Sequence, residues 1–97
     1  MPTYVSLCNW TEQGIKNFKD TVSRGKEAEA AMAKLGVRFE SLYWTVGPYD
    51  LVAIVDADDE ESATAALLAL GAQGNIRTIT MRAYDAEGMS RILGKLG

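Results

Sequence analysis

Few side chains in this chain are suited to chemistry, and the residue types that are missing narrow the possibilities first. The sequence has no histidine and a single cysteine, Cys8. Zinc and haem sites and Cys-His nucleophile pairs therefore lack their usual ligands and bases. Five acids lie within residues 56–61, but their spacing is not that of a calcium loop and is typical of a solvated turn before a helix. We expect no metal site and no cofactor, and the sequence leaves catalytic residues unknown.

The candidate ligand-binding residues are an arginine and the polar and aromatic side chains expected near it. Alternation along the last predicted strand places Arg82 on the same face as Thr80. Arginine favours planar acids because its fork donates two parallel hydrogen bonds. The sequence therefore predicts a pocket for an anionic or carbonyl-bearing ligand with an apolar body. The further candidates for this pocket are Trp10, Tyr43, Asp50 and Arg77.

Each of these residues also has a purely structural interpretation. Arg82 and Arg77 suit salt bridges, between subunits and at the surface respectively. Asp50 follows a turn, where a carboxylate commonly accepts backbone N–H bonds. Trp10 suits a dimer core, and Arg24 on the first helix suits either a cleft edge or solvent. The sequence leaves these alternatives open.

The elements that must position these residues follow a repeated order of strand, helix and strand. Alternating β-formers predict the strands, and i, i+3, i+4 apolar spacing predicts the helices. A break is expected at residues 21–25, where β-branched residues, a serine and a glycine interrupt the first helix. The predicted strands are 3–9, 37–46, 51–57 and 76–84, with helices over 11–35 and from an Asp58 cap to Gly71, and a short tail helix after Asp85.

Two such units joined by a tight hairpin predict an α+β, ferredoxin-like βαββαβ sandwich with a four-stranded antiparallel sheet and a short C-terminal helix. Its 97 residues make one domain over 1–97. The net charge of −3 disfavours nucleic acid as a partner. No apolar stretch is long enough to span a membrane, the N-terminus does not resemble a signal peptide, and one cysteine fits a reducing compartment, so we expect a cytoplasmic protein.

The third strand predicts self-association. Leu51, Ala53 and Val55 supply one apolar face, yet Val52 and Ile54 make the other face apolar too. A chain of this size has no second helical layer, so a partner subunit is the expected cover. Alternation assigns Tyr4, Trp10, Thr80 and Arg82 to that outer face with Val52 and Ile54. The candidate interface residues are Tyr4, Tyr49, Val52 and Ile54.

Three short motifs carry a resemblance to a known family. They are Gly47-x-Tyr49-Asp50 on the hairpin, Tyr43-Trp44-Thr45 before it, and Gly74-Asn75-Ile76-Arg77-Thr78 later in the chain. Together they resemble the GYD domain family, from Thr3 to about Tyr84. The resemblance implies a dimeric α/β barrel, in which two ferredoxin-like subunits pack sheet against sheet, and it implies no particular activity.

Three functional hypotheses follow. The favoured one is a homodimeric or higher-order domain that binds a small molecule between sheet and helices or at the dimer interface, without catalysis. The alternative is an enzyme of the cofactor-independent monooxygenase or isomerase kind, using Tyr43, Asp50, Trp10 or Arg82 in place of histidine. The third is a purely structural assembly protein. Fold alone does not separate them.

Overall fold

A computed structural model of residues 1–97 shows one antiparallel sheet of four strands in the order β2-β3-β1-β4. This order and the alternation with helices confirm the predicted α+β, ferredoxin-like fold. The elements are β1 (Thr3–Trp10), α1 (Glu12–Lys16), a 3₁₀ turn (Phe18–Asp20), α2 (Thr21–Ala33), β2 (Val37–Trp44), β3 (Leu51–Ala57), α3 (Glu60–Ala72), β4 (Ile76–Ala83) and α4 (Ala86–Gly94).

The hydrophobic core lies between one face of the sheet and helices α2 and α3. Strand β3 is central, and every second residue from Leu51 to Ala57 is buried. The helices contribute mostly small side chains, which allow their backbones to approach the sheet closely. The core residues are Met32, Val37, Ala53, Val55, Ala57, Ala63 and Ala66.

The even-numbered side chains of β1 lie on the face of the sheet that packs against the helices, whereas the sequence prediction placed them on the outer face. Tyr4 pairs with Val55, and Ser6 pairs with Ala53, so Tyr4 and Ser6 face the helices. The prediction that Tyr4, Trp10, Thr80 and Arg82 share the outer face with Val52 and Ile54 is therefore wrong. Alternation orders side chains within one strand, but only the pairing register decides which faces of two strands coincide.

The face turned away from α2 and α3, called the open face below, is largely apolar, and α4 borders one end of it. Val5 pairs with Ile54 and with Met81, and Leu7 pairs with Val52 and with Ile79. Tyr43 lies opposite Val52 on the edge strand and is 62% exposed. The apolar residues of the open face are Val5, Leu7, Tyr43, Val52, Ile54, Ile79 and Met81.

A β-bulge in β2 explains how Phe39 and Leu42 both reach the core. Phe39 pairs with Val55 and Ser41 with Ile54, so Glu40 is an extra residue. One extra residue inverts the alternation of everything after it. Tyr43 is thereby directed to the open face, while Leu42 packs against the core.

The ends of the helices differ from the sequence prediction in two places. The first helix breaks at residues 17–20 rather than at 21–25, and α2 begins at Thr21. Asp59, not Asp58, caps α3 by accepting the N–H of Ser62 at 2.7 Å, while Asp58 pairs with Arg38 at 3.1 Å. The predicted cap of α4 is confirmed, because Asp85 accepts the N–H of Gly88 at 2.7 Å.

Helix α1 is held firmly against the turn before β4. The side chain of Thr11 donates to the carbonyl of Gly74 at 2.6 Å, and the N–H of Thr11 donates to the carbonyl of Asn75 at 3.1 Å. The amide of Gln13 donates to Asn75 Oδ1 at 2.9 Å. Gly14 is buried there, and a Cβ at this position would collide with the carbonyl oxygen of Asn75.

Replacing Gly14 with alanine should therefore destabilise the fold. A backbone carbonyl cannot rotate away as a side chain can, so we expect Gly14→Ala to cost about 1–3 kcal/mol. The melting temperature should fall by about 5 to 20 °C. Gly71→Ala is the matched control, because nothing lies within 4 Å of a Cβ there. It should stabilise the helix by about 0.5–1 kcal/mol, and equal effects of the two variants would contradict the collision.

Candidate functional site

A cleft of about 330 Å³ opens between α2, α3 and one end of the sheet. Its size lies at the lower end of the range of small-molecule sites. Trp10, Leu51 and Ile76 form the sheet side, and Ala28, Ala31 and Leu70 narrow it from the helices. The remaining lining residues are Thr21, Arg24, Gly25, Glu27, Gln73 and Asn75.

Trp10 is held in the cleft by the hairpin between β2 and β3. The N–H of Trp10 donates to Asp50 Oδ2 at 2.9 Å, and the N–H of Asp50 donates to the carbonyl of Cys8 at 2.8 Å. The hairpin is closed by the Thr45 hydroxyl, which donates to the carbonyl of Tyr49 at 2.6 Å. Asp50 thus acts on the cleft through the backbone of its neighbour.

Trp44 positions the first turn of α2. Its indole N–H donates to the Thr21 hydroxyl oxygen at 2.9 Å. A Cβ on Gly25 would lie 3.6 Å from the Trp44 ring and 3.3 Å from Leu42, so the helix approaches the strand closely at that residue. Because the Thr21 oxygen accepts this bond, its own proton stays available as a donor towards the cleft.

Arg24 is the single positive charge on the cleft lining. It is half-buried and forms neither a hydrogen bond nor an ion pair in the structure. Glu27, three residues further along α2, is the one carboxylate on the lining. An arginine that is partly desolvated and free of partners favours an anionic group from outside the chain.

Arg82, at the other end of the sheet, already has partners within the chain. The Arg82 guanidinium donates to the carbonyl oxygens of Thr3 and Ala83 at 3.1 and 2.9 Å. It also stacks on the rings of Tyr84 and Tyr4, with 4.5 and 5.6 Å between Cζ and the ring centroids. Within the chain, Arg82 is thus held by carbonyl and aromatic contacts, and its salt bridge between subunits stays a prediction.

The predicted pocket of Tyr43, Thr80 and Arg82 does not assemble. Thr80 faces the helices, where its hydroxyl lies 2.8 Å from that of Ser6, whereas Tyr43 lies on the open face. Arg77 is exposed and pairs with Asn9 on the open-face side. Of the ligand candidates, Trp10 lines the cleft and Asp50 supports it, and the ligand roles of all six stay predictions.

The four candidate interface residues do not lie on one surface. Val52 and Ile54 belong to the open face, while Tyr4 packs against the core on the other side of the sheet. Tyr49 lies in the hairpin and is half-buried. Only Val52 and Ile54 therefore occupy the surface that a second subunit was expected to cover.

Four groups have pKa values shifted by burial or by hydrogen bonds within the chain. Burial raises the pKa of the Cys8 thiol to about 11, which keeps it protonated and unreactive at neutral pH. A hydrogen bond to Asp56 raises the pKa of Glu40, and a hydrogen bond from Thr3 lowers the pKa of Asp56. The N–H of Ser62 lowers the pKa of Asp59 at the start of α3.

A second cavity, of about 480 Å³, lies between α4 and the end of the open face, where Val5, Ile54 and Arg82 line it. Arg82 is held there by carbonyls, and Arg91 pairs with Glu87 at 3.8 Å. Asp56 accepts a hydrogen bond from the Thr3 hydroxyl at 2.6 Å, and Glu40 lies beside Asp56. Its charged groups have partners within the chain, so the first cleft is the better ligand site.

Thr21 is not among the candidates drawn from the sequence, and the sequence leaves Arg24 open between a cleft edge and solvent. A signal was available, because Thr21, Arg24, Ala28 and Ala31 recur at intervals of three and four residues and so share one face of α2. The sequence assigns Ala28 and Ala31 to a buried stripe of the helix together with Met32 and Leu35. Only the separation of α2 from α3 at this end of the sheet turns that face into a cleft wall.

The fold is that of a small ferredoxin-like α+β domain with a cleft between helices and sheet. The sequence model of the GYD domain family matches residues 4–93 of this chain. The chain therefore belongs to the GYD domain family, as its motifs indicated.

A curated relative and a solved structure, both from Thermus thermophilus, are similar to it. One, named glutamine synthetase and cystathionine beta-lyase binding protein, is 33% identical over 84 residues, covering 86% of this chain and 88% of that protein. The other is a solved structure, TTHA0845, with a TM-score of 0.56 and 28% identity over 89% of this chain and 96% of that one. Within this chain no helix is both long and apolar enough to cross a bilayer.

The Asp50 contacts generate a stability prediction. Replacing Asp50 with alanine leaves the Trp10 N–H without its acceptor, so we expect a loss of about 1–2 kcal/mol. The melting temperature should drop by about 5 to 15 °C. Asp20→Ala is the control, because Asp20 is exposed and its side chain makes no capping hydrogen bond. An unchanged melting temperature in Asp50→Ala would show that the carboxylate does not hold Trp10.

Proposed function

We propose that this chain is a homodimeric binding domain whose cleft between α2, α3 and the sheet holds a small molecule. The observation that carries the proposal is the cleft itself, with Trp10 at its base and the unpartnered Arg24 at its side. An apolar lining with few polar groups is typical of ligand sites.

The polar groups of the cleft favour a carboxylate or a carbonyl on the ligand. The Arg24 guanidinium and the Thr21 hydroxyl are both donors, and Gln73 adds an amide. Trp10, Leu51 and Ile76 offer an apolar surface for the rest of the molecule. The ligand class inferred from the sequence is thereby kept, with Arg24 in place of Arg82 as the anchor.

The homodimer is part of this proposal, and the open face supports it. Ile79 and Met81 are 54% and 46% exposed, and they join the half-buried Val5 and Ile54. Four strands about 4.8 Å apart and about seven residues long give a flat face of roughly 500 Å². Two such faces bury about 1,000 Å² together, near the lower limit of a stable interface. We also place the protein in the cytoplasm, where its single thiol stays reduced.

A second candidate function is the binding of another protein. The relative that is 33% identical carries a name that says it binds glutamine synthetase and cystathionine beta-lyase. Because that likeness extends over 86% of this chain, we propose that this chain also binds a metabolic enzyme. Isothermal titration calorimetry of this chain with glutamine synthetase and with cystathionine beta-lyase, both purified from the organism that encodes this chain, tests the proposal. The absence of binding heat with both enzymes would contradict it.

The ligand proposal predicts a preference for acids over amines. In a thermal-shift assay, 2-naphthoic acid should raise the melting temperature more than 2-naphthylmethylamine, because preferential binding to the folded state stabilises it. The Arg24→Met variant should lose this preference and keep its fold. Arg91→Met, on an exposed arginine of α4, should retain it. Equal shifts for acid and amine in the wild type would remove the case for an anionic ligand.

The dimer proposal predicts that a charge on the open face disrupts association. Ile54→Asp would bury an unpaired carboxylate in the interface, at a cost of about 3–5 kcal/mol. Light scattering should then report a mass of 10.5 kDa, against twice that for the wild type. Leu68→Asp, on the exposed side of α3, should stay dimeric. A wild-type protein that scatters as a monomer would overturn the proposal.

A further inference from the structure

The charge of this chain is distributed unevenly along the sequence. Residues 16–26, called the basic segment below, contain four of the ten basic residues and one acid. The segment therefore carries a formal charge of +3 in a chain whose total is −3, which leaves −6 on the remaining residues. Its charged residues are Lys16, Lys19, Asp20, Arg24 and Lys26.

Large apolar side chains are exposed in and beside the basic segment. Ile15, Phe18 and Val22 follow one another at intervals of three and four residues, a spacing that the sequence alone would assign to a buried stripe. The structure exposes them by 45%, 52% and 55%. Apolar groups that recur in this way on the surface, rimmed by charges, are typical of interaction sites.

The backbone that carries these side chains is fixed on its other side. Gly14 packs against the carbonyl of Asn75, and Thr11 and Gln13 hydrogen-bond to the same turn. Ile15 is therefore presented from an anchored helix, and Phe18 and Val22 follow it on the 3₁₀ turn and the first turn of α2. Such preorganisation lowers the entropy that is lost on binding.

The lysines of the segment are also free. The two ion pairs of the structure lie elsewhere, between Arg38 and Asp58 and between Arg91 and Glu87. Lys16, Lys19 and Lys26 are exposed. An extended anionic surface, such as a membrane or a nucleic acid, would be repelled by the −6 on the rest of the chain. A compact acidic surface on another protein would meet the segment alone.

We propose that Ile15 and the basic segment form a docking surface for a protein partner that offers an apolar pocket rimmed by carboxylates. Phe18 is the central anchor, because buried aromatic residues dominate the energy of protein interfaces. The lysines around it steer the partner into place and speed association. This inference rests on the protein-binding function proposed above and assigns it a surface.

The test is the affinity of the full chain for purified glutamine synthetase and cystathionine beta-lyase of the source organism. The double charge reversal Lys16→Glu/Lys19→Glu should weaken binding at least tenfold, mainly through a slower association rate. Phe18→Ser should weaken it at least tenfold, mainly through faster dissociation. Lys34→Glu/Lys95→Glu is the charge-matched control and Leu68→Ser the apolar one, and both should stay within threefold of the wild type.

Circular dichroism must first show that every variant keeps the wild-type fold. If an enzyme binds the wild type and both segment variants equally well, the docking surface is overturned while the protein-binding function stands. If neither enzyme binds the wild type, that function and the docking surface fall together. Binding of the wild type to vesicles of anionic lipid, lost in the charge reversal, would assign the segment to a membrane instead. A change of the homo-oligomer mass in the segment variants would assign it to a second copy.

Discussion

The pairing of β1 with β3 and β4 is the constraint on which the rest of the structure depends. Because Tyr4 pairs with Val55 and Ser6 with Ala53, the even-numbered residues of β1 face the helices. A shift of one residue would move every side chain of β1 to the opposite face of the sheet. This register places Trp10 on the cleft and leaves Val5 and Leu7 on the open face, so it separates the proposed ligand site from the proposed dimer interface.

The hairpin that carries the Gly-x-Tyr-Asp motif stabilises the end of β1 at Trp10. Asp50 holds the backbone of Trp10 through one charge-assisted hydrogen bond and is itself tied to Cys8. The motif residue therefore supports the site through the neighbouring strand. A hydrogen bond of this kind contributes on the order of 1–2 kcal/mol, a sizeable part of the stability of a domain this small.

Residues 18–25, around the start of α2, contribute both to the cleft and to the proposed docking surface. Thr21, Arg24 and Gly25 form one wall of the cleft, while Phe18 and Val22 are turned to solvent. The anchor of Gly14 at the turn before β4 holds both surfaces in place, because that turn also contributes Asn75 to the cleft. A ligand and a protein partner would thus contact opposite sides of one short piece of chain.

The sequence by itself determined the order of elements and the family, because alternation, helical spacing, turn residues and the GYD motifs are all local patterns. It also marked Val52 and Ile54 as apolar on the second face of β3. Only the tertiary structure decided which face of β1 joined them, since register depends on contacts between distant residues. The bulge at Glu40 likewise redirected Tyr43 away from Thr80, and the gap between α2 and α3 made Arg24 rather than Arg82 the free cation of a cleft.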